Sequence, residues 1–151
     1  MSERALDLPD AAATDAAGRA LAPVLRAGDV IALTGDLGAG KTSLARGLLS
    51  ALGLAEEAPS PSYALVIPYD PPQTRLPVWH VDLYRLDDPE EAEELGLDDA
   101  LIDGALIIEW PERLGWLWPE TLRLHISVPV TGPRRLTATV PPSWEERWPF
   151  P

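Results

Sequence analysis

Hydrophobic residues change their spacing several times along this chain, and each change predicts an element. Val30-Ile31-Ala32-Leu33-Thr34 is a short apolar run, the pattern of a strand buried on both faces of a parallel sheet. Gly28-Asp29 before it reads as a turn. Leu44, Leu48, Ala51 and Leu52 then recur at helical spacing, and Gly53 supplies the stop. An earlier helix is predicted through Ala17, Leu21, Val24 and Leu25, with Thr14 as its N-cap and Pro23 as a kink. Residues 64–67 and 78–82 read as strands around a turn at Asp70-Pro71-Pro72, and Ala105-Leu106-Ile107-Ile108-Glu109 as a further buried strand. Residues 122–128 alternate cleanly between apolar and polar, and Leu136-Thr137-Ala138-Thr139-Val140 answers them across Thr131-Gly132-Pro133, which predicts a hairpin with one wet face.

These elements predict an α/β fold: a single domain with a mixed, mainly parallel sheet, flanking helices and a C-terminal β-hairpin. The domain is expected to span residues 1–140, followed by a proline- and tryptophan-rich tail at 141–151 that packs across the surface. A chain of 151 residues buries one ordinary core. No internal repeat or long linker divides it.

The turn between the first buried strand and its helix carries the chemistry. Gly35-Asp36-Leu37-Gly38-Ala39-Gly40-Lys41-Thr42 fits the phosphate-binding loop pattern, two glycines four residues apart followed by Lys and a hydroxyl residue. Strand, glycine-rich loop and helix come in the order the motif requires. Glycines let backbone N–H groups approach phosphate oxygens, and the helix N-terminus adds its positive dipole end. Lys41 is the only lysine; the other eleven basic residues are arginines. A composition that otherwise avoids lysine keeps one where a compact ammonium reaches the β- and γ-phosphates of a nucleotide. Thr42 is predicted to place its hydroxyl on Mg²⁺. The fold class sharpens accordingly to that of a P-loop NTPase.

A phosphate loop holds a nucleotide without specifying a reaction. Mg²⁺ also needs a carboxylate near the phosphates, usually at the end of a neighbouring strand. Two predicted strands end in an acid, at Asp82 and at Glu109. Either is placed to hold the metal, directly or through water, or to orient a water for attack. Arg85 lies three residues past Asp82, within reach of a phosphate or a carboxylate. His80 shares a strand face with Asp82, yet a lone strand histidine is more often structural, and the same holds for His125.

Net charge is −12, from 24 acidic and 12 basic residues, which argues against direct nucleic-acid binding. Much of the acid lies in residues 87–99, where Asp88 and Pro89 read as N-cap and first helical residue and Gly96 as the stop. That stretch reads first as a solvated helix and second as a docking face for a basic partner. The chain has no cysteine, no 18-residue apolar run and no signal pattern at its start, so a cytoplasmic location without membrane association is expected.

Four segments together resemble the TsaE family of bacterial ATPases in tRNA threonylcarbamoyladenosine biosynthesis. They are residues 33–42, Ser60-Pro61-Ser62-Tyr63, His80-Val81-Asp82-Leu83-Tyr84-Arg85-Leu86 and Ile107-Ile108-Glu109-Trp110-Pro111-Glu112-Arg113. The resemblance implies that Gly38, Ala39, Gly40, Lys41, Thr42 and Ser43 bind ATP phosphates, with Thr42 and Glu109 at the metal. It implies that Asp82 lies near the γ-phosphate, so that Lys41, Asp82 and Glu109 form the catalytic set. Ser60 to Tyr63 corresponds to a switch loop in which Ser62 stands where the family usually has threonine. Thr14 resembles a residue beside the adenine, and Arg134 or Arg135 a basic position near the nucleotide. The implied cofactors are ATP and Mg²⁺, and the implied partners are TsaD and TsaB, with hydrolysis weak in the lone chain. Two other classes use the same loop: a small-molecule kinase and a non-catalytic nucleotide-sensing adaptor. A GTPase is disfavoured, because a chain without asparagine lacks the guanine-reading Asn-Lys-x-Asp.

Overall fold

The computed structural model describes every residue from Met1 to Pro151. Its strands are β1 (Ser2–Leu8), β2 (Val30–Thr34), β3 (Val66–Tyr69), β4 (Val78–Asp82), β5 (Ala105–Glu109), β6 (Leu122–Ser127) and β7 (Arg134–Val140). The helices are α1 (Ala11–Leu21), α2 (Lys41–Ala51), α3 (Leu97–Ala100) and α4 (Pro142–Glu145). The strands form one seven-stranded sheet in the order β1-β7-β6-β2-β5-β4-β3. Pairing is parallel at its centre, β6 to β2 to β5 to β4, and antiparallel at both edges.

Burial explains the patterns. β5 is buried at every position and β2 at its first four, because other strands flank them and both sheet faces are covered. On one face, α1 and α2 pack over Ile31, Leu33, Ile107 and Ile126, closing a core that includes Leu21, Leu44, Leu48 and Leu49. The opposite face buries Val30, Val81, Leu106 and Ile108 beneath Leu83, Leu86, Leu97 and Leu114. β6 and β7 alternate buried and accessible residues, the expected hairpin with one wet face.

α1 and α2 cross at very short range. A Cβ on Gly18 would lie 2.0 Å from the Leu44 carbonyl oxygen, and one on Gly47 would lie 2.4 Å from that of Asp15. Only glycine permits this crossing, and it brings the first half of α1 onto the phosphate loop.

Several expectations need correction, the first being that the strand read at 64–67 runs instead from Val66 to Tyr69. The N-cap of α1 is Asp10, whose carboxylate accepts from the Ala13 N–H at 2.8 Å. Thr14 lies inside the helix and is buried, on the inward face with Ala17, Gly18 and Leu21. α1 stops at Leu21 instead of running to Leu25. A 3₁₀ turn containing Pro23 follows, since proline removes a donor and crowds the preceding turn. The acidic segment Pro89–Leu95 is capped by Asp88 and ended by Gly96 as expected, but it coils as a 3₁₀ helix with Ala92 inward and its carboxylates outward. Finally, Ser2–Leu8 forms a strand that the sequence pattern concealed, pairing with β7 along its whole length.

The tail is bound closely to the body. Trp144 is fully buried in the larger core, and Trp148 and Phe150 pack against it. No helix is long and apolar enough to cross a membrane.

Candidate functional site

The site lies where β2, β5 and β4 end together. Parallel pairing sets Leu33 opposite Glu109, and Glu109 opposite Asp82. Both acids that close an apolar run therefore arrive at the same level on adjacent strands, beside the loop that leaves β2. Glu109 and Asp82 are only 2% and 4% exposed. Carboxylates at that depth need partners or a ligand.

The loop itself is shaped by glycine. Gly40 has φ 118 and acts as the N-cap of α2, whose first residue is Lys41. A Cβ there would sit 3.3 Å from the Arg134 guanidinium and 3.4 Å from Thr14 Cγ2. Thr14 and Arg134 thus flank the loop from α1 and β7. Arg134 donates to the Ala39 carbonyl at 2.9 Å. Thr14 Oγ1 is buried with no hydrogen-bond partner. Arg135, the alternative basic position, turns away to Asp7 at 3.2 Å. Gly38 and Ser43 stand exposed at either end of the turn while Ala39 is buried, and the first-turn N–H groups of α2 have no intrahelical acceptor.

Lys41 folds back over this loop. Its ammonium donates to the carbonyls of Gly35 and Asp36 and lies 3.7 Å from the centroid of the Trp110 ring. Burial pushes its pKa below the ordinary lysine value of 10.5, against the opposing pull of Glu109, Glu112, Asp82 and Asp36. Trp110 holds the left-handed conformation, φ 60, immediately after Glu109. A bulky residue in that region is strained, and here the strain swings the indole under the lysine and against Tyr84.

The carboxylates are held by hydroxyls, an imidazole and a backbone N–H rather than by Lys41. Thr42 Oγ1 donates to Glu109 Oε1 at 2.8 Å. His80 Nε2 is 2.7 Å from Glu109 Oε2, so both carboxylate oxygens are engaged. Asp82 Oδ1 accepts from the Tyr84 N–H at 2.9 Å, and Oδ2 accepts from the Ser62 hydroxyl at 3.0 Å. Ser62 is also 2.8 Å from Ser60 Oγ, so the short serine loop is tied to the strand tip. Arg85 does not reach the loop; it stacks on exposed Tyr63 at 4.3 Å.

Lys41, Thr42, Ser62, Asp82 and Glu109 are therefore gathered at one place, with Thr14, Ala39, Gly40 and Arg134 along its rim. Two members of the cluster were given no site role from sequence. His80 was set aside as structural, and its spacing from Asp82 gave its face but not its neighbour. Trp110 follows Glu109 in sequence, yet only its positive φ turns it toward Lys41. The donor set is made of hard oxygens, and no group of three or more His, Asp or Glu side chains forms a cage by itself. That suits Mg²⁺, which keeps waters and takes substrate oxygens in addition to one or two protein ligands.

Comparison with known proteins agrees with this layout. The family model described as "Threonylcarbamoyl adenosine biosynthesis protein TsaE" matches residues 8–136. A Streptomyces coelicolor protein named as a tRNA threonylcarbamoyladenosine biosynthesis protein TsaE is 42% identical over 111 residues, covering 72% of this chain and 75% of its own. A Synechocystis protein of the same name is 43% identical over 122 residues, covering 76% and 75%. The crystal structure of YdiB from Bacillus subtilis superposes with a TM-score of 0.80 at 26% identity, over 97% of this chain and 90% of that one. With the family match spanning residues 8–136, strands β2 to β6 and both flanks of the phosphate loop among them, this chain belongs to the TsaE family.

Proposed function

We propose that this chain is the ATP-binding and ATP-hydrolysing subunit of tRNA threonylcarbamoyladenosine formation, acting in the cytoplasm with the TsaD and TsaB threonylcarbamoyl transferase. The observation that carries the reading is the 2.8 Å contact between Thr42 and Glu109 beside the buried Lys41. It joins a loop hydroxyl to a strand-end carboxylate at the spot where a nucleotide-bound cation belongs. Residues 1–140 carry the activity in this proposal, and residues 141–151 are a tail docked on that domain.

Thr42 Oγ1 and Glu109 would hold Mg²⁺, which when bound neutralises charge on the β- and γ-phosphate oxygens. The protein's own groups do the rest. Lys41 exchanges its contacts with the Gly35 and Asp36 carbonyls for phosphate oxygens, a displacement within the length of its side chain. N–H groups of residues 38–43 receive the phosphates at the positive end of α2. Thr14 and Arg134 line the rim on the nucleoside side. Asp82 has no cationic partner and is aimed by Ser62 and Tyr84, which fits it to orient the attacking water. Lone-chain hydrolysis is slow in this reading, because no arginine stands free over the loop to stabilise the transition state. With a net charge of −12, the chain reaches tRNA only through its partners.

The test is ATP hydrolysis by the purified chain, alone and with TsaD and TsaB from the same source, with Lys41→Ala as control. The expected result is weak activity that rises in the mixture and disappears in the variant. Unchanged ATP affinity in Lys41→Ala would overturn the nucleotide reading. Lack of stimulation would remove the partnership and leave the nucleotide site.

A further inference from the structure

His80 is a fully buried ionisable side chain of the site that the proposed reaction leaves without a role. It lies on β4, two residues before Asp82 and on the same strand face. Its Nε2 lies 2.7 Å from Glu109 Oε2, while Glu109 Oε1 accepts from Thr42. Glu109 is thus held from two sides, by the helix that follows the phosphate loop and by a neighbouring strand. His80 Nδ1 is buried without a partner. A proton there would be an orphan donor in the interior, so the proton belongs on Nε2, donating to Glu109.

What this contact prevents is as informative as what it makes. Glu109 is the carboxylate that acts most strongly on Lys41, yet the two form no salt bridge. A glutamate released from His80 would have an unpaired buried oxygen and an ammonium close by. Collapse onto Lys41 would satisfy that oxygen and remove both residues from the substrate.

We infer that His80 is a positioning residue for the metal site: its Nε2–H fixes Glu109 so that Oε1 stays with Thr42 and away from Lys41, presenting a preset pair of oxygens to Mg²⁺. The inference rests on the reading of Thr42 and Glu109 as the Mg²⁺ site. Loss of such an outer partner lowers metal affinity about 10- to 100-fold in comparable sites, without touching the metal itself.

Three substitutions separate this role from packing. His80→Leu keeps most of the volume and removes the donor. His80→Gln keeps an N–H near the place of Nε2, whereas His80→Asn is one methylene too short to reach Oε2. Each protein is compared with wild type for ATP binding in EDTA, for the Mg²⁺ concentration that half-saturates ATP binding, and for melting temperature. In His80→Leu, metal-free ATP binding should match wild type while the Mg²⁺ requirement rises about 10-fold or more. His80→Gln should stay near wild type in both. If His80→Leu does not fold, the Gln and Asn pair decides, with Asn shifted and Gln not. A wild-type Mg²⁺ requirement in His80→Leu, or equal impairment in Gln and Asn variants, would overturn the role of His80 while leaving the metal site intact. Wild-type ATP binding that ignores Mg²⁺ would overturn the metal reading and this inference together.

Discussion

Two clusters of buried charge stand in this molecule, and they are built on opposite plans. At the foot of the sheet, Asp29 and Arg147 find each other. The guanidinium meets the carboxylate with two parallel bonds of 2.7 Å, and Arg147 also donates to the carbonyls of Val24 and Ser143. Asp29 accepts in addition from the Arg26 N–H, and the guanidinium lies 3.9 Å from the Trp144 ring centroid. Each side chain is about nine-tenths buried and each makes at least three hydrogen bonds. At the strand tips, by contrast, Lys41, Asp82 and Glu109 are buried near one another and make no ion pair with each other. Backbone carbonyls and an indole face hold the cation, while hydroxyls, an imidazole and a backbone N–H hold the anions. Buried charges that are paired lock structure; buried charges kept from one another by intervening partners are ready for a ligand that carries charge of its own.

The largest effect expected from this contrast is on the locked pair. Arg147→Ala leaves Asp29 buried without a counter-charge, which costs about 3–5 kcal/mol. For a chain of this size that lowers the melting temperature by roughly 10 °C. ATP binding, measured well below the transition, should be unaffected because the pair is remote from the phosphate loop. A melting temperature within a degree or two of wild type would mean that the tail is held by Trp144 burial alone.

The second effect reverses the readouts. Asp82→Asn is nearly isosteric and keeps an acceptor for the Tyr84 N–H, but removes the charge. Turnover should fall about 100-fold, equivalent to about 2.7 kcal/mol of barrier, with melting temperature and ATP affinity close to wild type. Undiminished turnover would restrict Asp82 to tethering the Ser60–Ser62 loop. Stability falls in one variant and catalysis in the other, so the pair of mutants tests the division between the two clusters directly.

Sequence made one of these clusters legible and hid the other, for identifiable reasons. Lys41 and Thr42 follow a motif whose spacing is fixed by local backbone geometry. Asp82 and Glu109 each end an apolar run, and parallel strands of equal length bring such ends to one level. The central strands were readable because burial on both faces demands continuous hydrophobicity. β1 was not, because Arg4 takes an inward position and Ala5 an outward one, which leaves only Leu6 and Leu8 to mark the inner face. Thr14 sits among small apolar residues at helical spacing, and that spacing fits an inward face as well as it fits a cap further along; Asp10, four residues earlier, was the stronger acceptor for free N–H groups. Asp29 looked like a turn residue and Arg147 like part of a tail lying across the surface. They are 118 positions apart in the chain, and no local pattern encodes their meeting.

The smallest effect separates the two clusters most finely, because it reads the price of an unpaired buried cation. Burial holds the Lys41 pKa below its ordinary value of 10.5. In the pH range between the folded value and 10.5, the unfolded chain binds more protons at this residue than the folded chain does. Stability therefore rises with pH across that range, and below it the charged ammonium carries a constant destabilisation. Lys41→Met keeps the aliphatic stem against Trp110 and removes that cost. The variant should be slightly more stable than wild type at neutral pH, and the gap should close as pH approaches 10.5, as followed by urea unfolding at several pH values. A gap that does not change with pH would assign the difference to packing. Saturating Mg²⁺ and ATP at neutral pH should invert the order, since ligand binding stabilises wild type in proportion to RT ln(1 + [L]/Kd) and the variant has lost the ammonium that meets the phosphates. The same experiment on Arg147→Ala should show no inversion, because ATP stabilises that variant by as much as it stabilises wild type.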